Sequence, residues 1–463
     1  MTQTAANPAP TASVRLDGDR LVRTLSIPGW TASSAVDLRE AQGVTRVMAE
    51  SDPLGAWWRA FLSGATPVPE GVSALLGADS RSGVPPVRSV DLFAGAGGLM
   101  VGVGQFVAEA GRGLVCELAV DTDSDALRVH ARNHRTRRTL TESVTSLVDY
   151  RIRGAGAAAH FVYEPELLDD DLRSACADVD LVAAGPPCQG HSNLNNHSRR
   201  SDRRNLLYLA VPAFAVACDA SAVVIENVTS VIHDESQVVP AARALLEASG
   251  YVVTDGVLSA DAMGWPQTRR RHFLVARRAA DGVPVSIVAV SEALAQPRAR
   301  PVGWALGAGL EVSGDRSLHE PTALTEANRQ RIQWLFDNDE HDLDLGERPE
   351  CHQDGTTYGA VYGRMHADRP APTITTGFTT PGRGRFVHPS EPRTLTPAEA
   401  ARLQGFPDTY FLRPEPQRSA SRSQLAKWIG DAVAMPLGYA AGFSALAPGF
   451  VAVGCGVAVS GSA

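Results

Sequence analysis

From residue 87 onward the chain repeats one pattern: a short apolar run, a turn, then a longer helix-like stretch. "VRSVDLFAGAGGLMVGVGQFVAEAG" reads as a strand, a glycine-rich turn and a helix. "GLVCELAVDTDSDALRVHARNH" reads as a strand ending in acids, then a second helix. "ADVDLVAAGPPCQG" supplies a third strand and its loop, and "ACDASAVVIENVTSV" a fourth strand. "YVVTDGVLSADAMGWPQTRRRHFLVARR" reads as two strands joined by a loop. Strands alternating with helices restrict the fold to α/β. The expectation is a doubly wound, mostly parallel sheet with its sites at the carboxyl ends of the strands.

At 463 residues the chain is long enough for two domains plus extensions. Its net charge of −8 excludes a generally basic nucleic-acid coat, so any nucleic-acid contact needs a local basic face. The six cysteines (Cys116, Cys176, Cys188, Cys218, Cys351 and Cys455) form no CxxC pair and no zinc spacing. Scattered thiols imply a reducing, cytoplasmic setting. The Ala/Pro/Thr-rich start, "MTQTAANPAPTASV", has the composition of a disordered segment. The apolar end, "AGFSALAPGFVAVGCGVAVSGSA", is interrupted by Gly and Pro and has no basic flank, so it is not read as a membrane span. "DPLGAWWRAFLSG" reads as a short amphipathic helix with Trp57 and Trp58 partly buried. "TLTPAEAARLQGFP" is a helix with a complete start signal: Thr396 to cap, Pro397 in the first turn and Glu399 to close a capping box. "KWIGDAVAMPLGYAAG" reads as a last strand, loop and helix.

Four motifs carry chemistry. "DLFAGAGGLMVG" at 91–102 lets backbone approach a ligand at a helix N-terminus, although a glycine turn can equally serve packing alone. Its spacing is not GxGxxG, which disfavours a dinucleotide. Asp121, at the end of the next strand, suits the two hydroxyls of a ribose; a helix cap or a solvated acid is the plainer reading. "LVAAGPPCQGHS" ends a buried strand abruptly and presents Cys188 on a loop stiffened by two prolines. "VVIENV" carries Glu226 out of an apolar strand, where a carboxylate is costly unless used or paired. "PQTRRRHF" places Arg269 and Arg271 on one strand face and Arg270 on the other. Two guanidiniums on one face suit a phosphate or carboxylate, whereas an isolated triplet is more often a solvated edge.

As an ordered set these motifs resemble the DNA (cytosine-5)-methyltransferase family of bacterial type over about 87–441. "DLFAGAGG" resembles its cofactor motif, "GPPCQGHS" its nucleophile loop, "ENV" its acid motif and "QTRRR" its QxRxR motif. "DRRNLLY", "RTLTPAEAARLQGFPD" and "IGDAV" resemble further motifs. Three departures stand out. His191 replaces the family's Phe, Asp431 replaces an Asn, and Ser143 stands where an acid contacting adenine is expected.

The resemblance implies a class I methyltransferase-like sheet with a second, smaller target-recognition domain. Residues 1–86 would be an extension of no assigned role, and 87–278 the catalytic and cofactor-binding domain. Residues 279–392 would be the target recognition region, 393–441 the C-terminal motifs, and 442–463 an apolar tail. The acidic run at 337–350 would face away from DNA. The resemblance further implies S-adenosylmethionine as methyl donor and no metal. Phe93, Gly95, Gly97, Gly98, Asp121, Leu207 and Val433 would form the cofactor site. Cys188 would be the nucleophile and Glu226 the acid, with Arg269 and Arg271 orienting the base. The expected partner is double-stranded DNA, with a cognate restriction endonuclease acting separately, no membrane, and a monomeric protein. A tRNA cytosine-5 methyltransferase on the same scaffold and a catalytically inactive DNA-binding module are the alternatives.

Overall fold

The computed structural model describes residues 9–69, 84–187, 203–307, 316–350 and 360–452. Cys188, His191, Cys351 and Cys455 lie outside the described residues.

Seven strands form the central sheet. Their spatial order is Tyr251–Ser259, Arg270–Arg278, Ala222–Val228, Leu181–Ala184, Val87–Leu92, Leu114–Asp121 and Thr139–Thr141. The last five run parallel to one another. Arg270–Arg278 is antiparallel to both of its neighbours. The expected sheet is present, and the joined pair of strands at 251–278 forms its antiparallel side.

Alternate strand residues enter opposite cores, as a period of two requires. Leu181, Ala183, Ala222 and Val224 belong to one core. Val182, Ala184, Val223 and Ile225 belong to the other. Burial on both faces explains why these strands read as continuous apolar runs rather than alternating ones.

Chain order reverses between Val87–Leu92 and the adjacent Leu181–Ala184. Such a reversal opens a crevice at the carboxyl edge, because the two outgoing loops diverge to opposite faces. The glycine turn follows Leu92, and Gly185-Pro186-Pro187 follows Ala184. Both segments therefore leave the sheet at this crevice.

The N-terminal segment has its own architecture. Thr11–Asp17, Arg20–Ile27, Trp30–Asp37 and Val68–Pro69 form an antiparallel sheet. Trp57 and Trp58 lie on the helix Pro53–Leu62 and are only 1% and 3% exposed, so they are core residues rather than the partly buried ones expected. They are covered because this segment packs onto the helix Gly98–Glu109 and the C-terminal helix Met435–Ala452. Trp58 meets Tyr439 edge-on at 5.6 Å, and Trp57 Nε1 donates to Glu109 at 2.8 Å. Arg23 crosses the same junction, with Nε 2.8 Å from Glu109 and 3.0 Å from the Tyr439 hydroxyl. Arg23 and Glu109 are both almost fully buried, so removing one strands the other in low dielectric. Arg23→Ala is expected to cost about 3 kcal/mol in unfolding free energy by urea titration. A loss below about 0.5 kcal/mol would show that this junction does not support the fold.

The described part of the apolar end, as far as residue 452, packs against the core. Gly102 and Gly438 let the helices Gly98–Glu109 and Met435–Ala452 touch backbone to backbone. A Cβ at Gly102 would come within 2.2 Å of the Met435 carbonyl oxygen. Pro448 removes the donor that the Ser444 carbonyl would otherwise meet, and Val285 N–H fills that place at 3.0 Å. Among the described residues no single helix is long and apolar enough to cross a membrane.

A second sequence expectation fails here. Residues 422–431 are helical, not a strand. The overlooked signal is a capping box, Ser421 with Gln424, which starts that helix. The capping box expected at Thr396 and Glu399 is present.

Between 279 and 392, Ile287, Val302 and Ile374 join the main core. Ile332, Leu335, Leu343, Val361, Tyr362 and Val387 make a small separate one. The acidic run beside it is partly neutralised, with Asp339 3.2 Å from Arg364 and Asp342 2.6 Å from Arg385.

Candidate active site at the sheet's carboxyl edge

The turn after Leu92 is held in an uncommon shape. Phe93 has φ +54°, and Gly95 and Gly97 have φ +51° and +88°. A bulky side chain at positive φ costs about 1–3 kcal/mol, so the surrounding contacts must impose it. Asp121 supplies one of them, its carboxylate accepting the Gly95 amide at 2.8 Å and the Asp123 amide at 2.9 Å. The helix cap is Asp123, which accepts the amides of Asp125 and Ala126. Gly97 starts the next helix with no side-chain cap, leaving first-turn amides available to a ligand. Gly98 faces Ala432 and the Val433 amide, where a Cβ would come within 2.7 Å of the Ala432 Cβ. Val433 is buried and Leu207 is half-buried in the 3-10 stretch Arg203–Leu209. Ser143 follows the edge strand Thr139–Thr141, and its hydroxyl lies 2.8 Å from that of Thr145.

Glu226 shares a strand face with Ala222 and Val224, at the carboxyl end of its strand. Arg271 lies diagonally across the ladder and places Nε 2.9 Å from the Glu226 carboxylate. Burial raises the Glu226 pKa above the ordinary carboxylate range, and Arg271 and then Arg269 oppose that shift. The neutral form is thus favoured relative to an exposed glutamate, beside a charge that holds the carboxyl in place. Asn227, on the opposite face, donates its amide to the Pro186 carbonyl at 3.1 Å. A Cβ at Gly185 would lie 3.7 Å from the Glu226 carboxylate. The loop that leads to Cys188 is therefore fastened beside the acid.

The two arginines of the shared face do different work. Arg271 is partly exposed and pairs with Glu226. Arg269 is 1% exposed, and its guanidinium donates to the carbonyls of Ile374 at 2.7 Å and Gly430 at 3.4 Å. It ties three separated segments together behind the acid. Arg270 is exposed, as its place on the other face requires.

Gln267 opens the QxRxR motif, but the sequence assigned it no role. It is fully buried, donates to Leu403 at 2.8 Å and to Gln404 at 3.1 Å, and accepts the Ile374 amide at 3.1 Å. A glutamine in a loop has no periodic signal to mark it as a hub.

The three described cysteines are all buried. Burial raises the thiol pKa of each, that of Cys176 to about 11, so none is poised as a thiolate. No group of three or more His, Cys, Asp or Glu residues able to hold a metal ion occurs among the described residues.

A doubly wound sheet, a glycine turn with a strand-end acid and a raised-pKa glutamate beside a loop define a class I methyltransferase-like protein. The family model described as C-5 cytosine-specific DNA methylase matches residues 87–444. Type II methyltransferase M1.BsuMI of Bacillus subtilis (strain 168) is 36% identical over 354 residues, covering 76% of this chain and 79% of that protein. Type II methylase M.HgiDII of Herpetosiphon aurantiacus is 32% identical over 358 residues, covering 75% and 92%. Among solved structures, the Entamoeba histolytica methyltransferase EhMeth superposes with a TM-score of 0.53 at 14% identity, covering 80% of this chain and 99% of that one. The chain belongs to the C-5 cytosine-specific DNA methylase family. It is a DNA (cytosine-5)-methyltransferase that uses S-adenosylmethionine.

The residues present fit that cofactor. Nothing lies within 4 Å of a Cβ position at Gly95, so the turn has open space beside it. Asp121 keeps lone pairs beyond the two amides it accepts. Asp121→Ala is expected to weaken S-adenosylmethionine binding by about 1–3 kcal/mol, the scale for losing hydrogen bonds to a charged group. Unchanged affinity by calorimetry would remove Asp121 from the site.

Proposed function

We propose that this enzyme is the modification methylase of a type II restriction-modification system. It acts on cytosine within a specific duplex sequence, with Cys188 as nucleophile. What carries the reading is the acid–loop arrangement: the Glu226 carboxylate lies beside Gly185, and the next residue, Asn227, holds the carbonyl of Pro186, two residues before Cys188. The names of the type II relatives support the biological role.

Carbon 5 of cytosine is a weak nucleophile. Addition of the Cys188 thiolate to carbon 6 breaks the 5,6 double bond and pushes electron density toward carbon 5 and N3. Glu226 holds a proton against N3 and offsets the charge that develops there. Arg271 keeps the Glu226 carboxyl oriented, and Arg269 anchors the start of the strand from which Arg271 projects. Phe93, Gly95, Gly97, Gly98, Asp121, Leu207 and Val433 hold S-adenosylmethionine, whose sulfonium supplies an electrophilic methyl group. Once carbon 5 carries the methyl group, a base removes its proton, and the freed electron pair restores the 5,6 double bond and expels Cys188 as thiolate. The target atoms are hidden in stacked DNA, so the cytosine must leave the helix to reach Glu226. The small core at 332–387 would read the target sequence. A cognate endonuclease would act as a separate polypeptide, and the methylase would work as a monomer in the cytoplasm.

Bisulfite sequencing of DNA from a host expressing the protein should show one methylated sequence context. A duplex with 5-fluorocytosine at that site should give a protein–DNA adduct that survives denaturing electrophoresis and needs S-adenosylmethionine, because fluorine cannot leave as a proton does. Methylation of tRNA instead of duplex DNA, or of an exocyclic nitrogen with no adduct, would overturn the proposal.

A further inference from the structure

Behind the glycine turn lies a chain of polar side chains that the methyl-transfer steps do not use. Asp91, on the strand just before Phe93, is almost completely buried. Its carboxylate lies 3.1 Å from His130 Nε2. His130 is fully buried on the helix Ser124–Asn133, and its Nδ1 lies 3.0 Å from the Thr136 hydroxyl. Its ring centroid is 4.7 Å from that of His134. His134 Nε2 lies 3.0 Å from the Tyr410 hydroxyl, which donates at 2.5 Å to the Ala96 carbonyl inside the turn. Tyr410 has one hydroxyl hydrogen, and Ala96 takes it. His134 must therefore donate from Nε2, which fixes its tautomer.

Burial lowers the pKa of both histidines, that of His130 to about 4, so neither carries a charge near neutral pH. Burial, and then the Asp121 charge, raise the Asp91 pKa, which favours its neutral form opposite His130.

Gly97 shows how closely this chain supports the turn. A Cβ there would come within 2.4 Å of His134 Nε2 and 2.8 Å of the Tyr410 hydroxyl. Its φ of +88° already disfavours any other residue. The glycine is thus required by the side chains beneath it, independently of any ligand above.

The turn is consequently held from three sides. Asp121 takes the Gly95 amide, Ala432 and Val433 abut Gly98, and Tyr410 takes the Ala96 carbonyl. The third support comes from the segment after the capped helix Pro397–Gln404, far away in sequence.

We propose that Tyr410 and His134 are positioning residues for the cofactor: they lock the Phe93–Gly98 turn in its binding shape through the Ala96 carbonyl, with His134 aligned by His130 and Asp91. The proposal rests on the reading of this turn as the S-adenosylmethionine site. Neither residue takes part in the reaction. Their contribution is pre-organisation, which lowers the cost of ordering the turn when the cofactor binds.

The test is Tyr410→Phe, which keeps the ring and deletes the bond to Ala96, together with His134→Asn. The full-length protein is used, with Asp121→Ala as control. S-adenosylmethionine affinity is measured by calorimetry, and KM and kcat with duplex DNA by steady-state kinetics. Tyr410→Phe should raise Kd and KM for the cofactor about tenfold, with kcat at saturating cofactor changed less than twofold. His134→Asn should act in the same direction, and the double variant should be little worse than the worse single one, because both act through one bond. A purely structural role would instead lower kcat and thermal stability together and leave the cofactor KM in place; that result overturns the proposal. Weakened binding in Asp121→Ala but not in Tyr410→Phe overturns the brace alone. Unchanged binding in both overturns the reading of the turn as the cofactor site, and the brace with it.

Discussion

Cys188→Ser is expected to abolish methyl transfer while cofactor affinity stays within twofold of wild type. The loss should be on the order of 10⁴-fold or more, the scale of removing a covalent nucleophile. A thiol with a pKa near 8.5 reaches its anion far more readily than an alcohol, and sulfur leaves more easily at the end of the cycle. The cofactor turn is supported by Asp121, Tyr410 and Val433, so its shape does not depend on the thiol. Transfer of a radiolabelled methyl group into duplex DNA measures the rate, and calorimetry the affinity. A serine variant working near the wild-type rate would exclude a covalent mechanism.

Glu226→Gln should carry the second largest effect, a fall in kcat of about 10²–10⁴, the range for losing a general acid. Glutamine keeps the shape and can donate a weak hydrogen bond to N3, but it has no proton to transfer. The pH profile gives the sharper signature. Burial raises the Glu226 pKa, so its neutral form, the one the proposed mechanism uses, persists to higher pH than an exposed glutamate would allow. Activity should fall on the alkaline side as Glu226 ionises, and on the acid side as the Cys188 thiolate is lost. In Glu226→Gln the alkaline limb contributed by Glu226 should vanish while the acid limb remains. Arg271 opposes the shift, so Arg271→Ala should move the alkaline limb to still higher pH while weakening alignment of the acid. A Glu226→Gln profile with the wild-type alkaline limb would show that another group titrates there.

Much of the scaffold could be read from the order of residues. Strands buried on both faces leave unbroken apolar runs, and the turns between them are marked by glycine, proline and aspartate. The residues at strand ends follow from that pattern, because the parity of side chains along a strand is fixed by covalent geometry. Glu226 on the face of Ala222 and Val224, and Arg270 turned away from Arg271, are consequences of that parity. The N-terminal segment was less legible. Trp57 and Trp58 gain their cover from Tyr439 and Glu109, far along the chain, and no local period announces such a partner. The helix at 422–431 was hidden for a different reason: its capping box was present, but the short apolar run "KWIG" also fits a strand.

What the amino-acid order determined by itself was therefore local: which segments run straight, where they stop, and which side chains face one way at their ends. Tertiary structure alone decided which of those ends meet. The pairing of Val87–Leu92 with Leu181–Ala184 brings the glycine turn after Leu92 beside the Gly185–Pro187 segment that leads to Cys188. The carbonyls of Ile374 and Gly430 occupy the Arg269 guanidinium, leaving Arg271 to pair with Glu226. Tyr410 reaches Ala96 across more than three hundred residues. Each of these contacts depends on the closing of long loops around a packed core. Only the free energy of the whole chain selects them, because no window of neighbouring residues contains both partners.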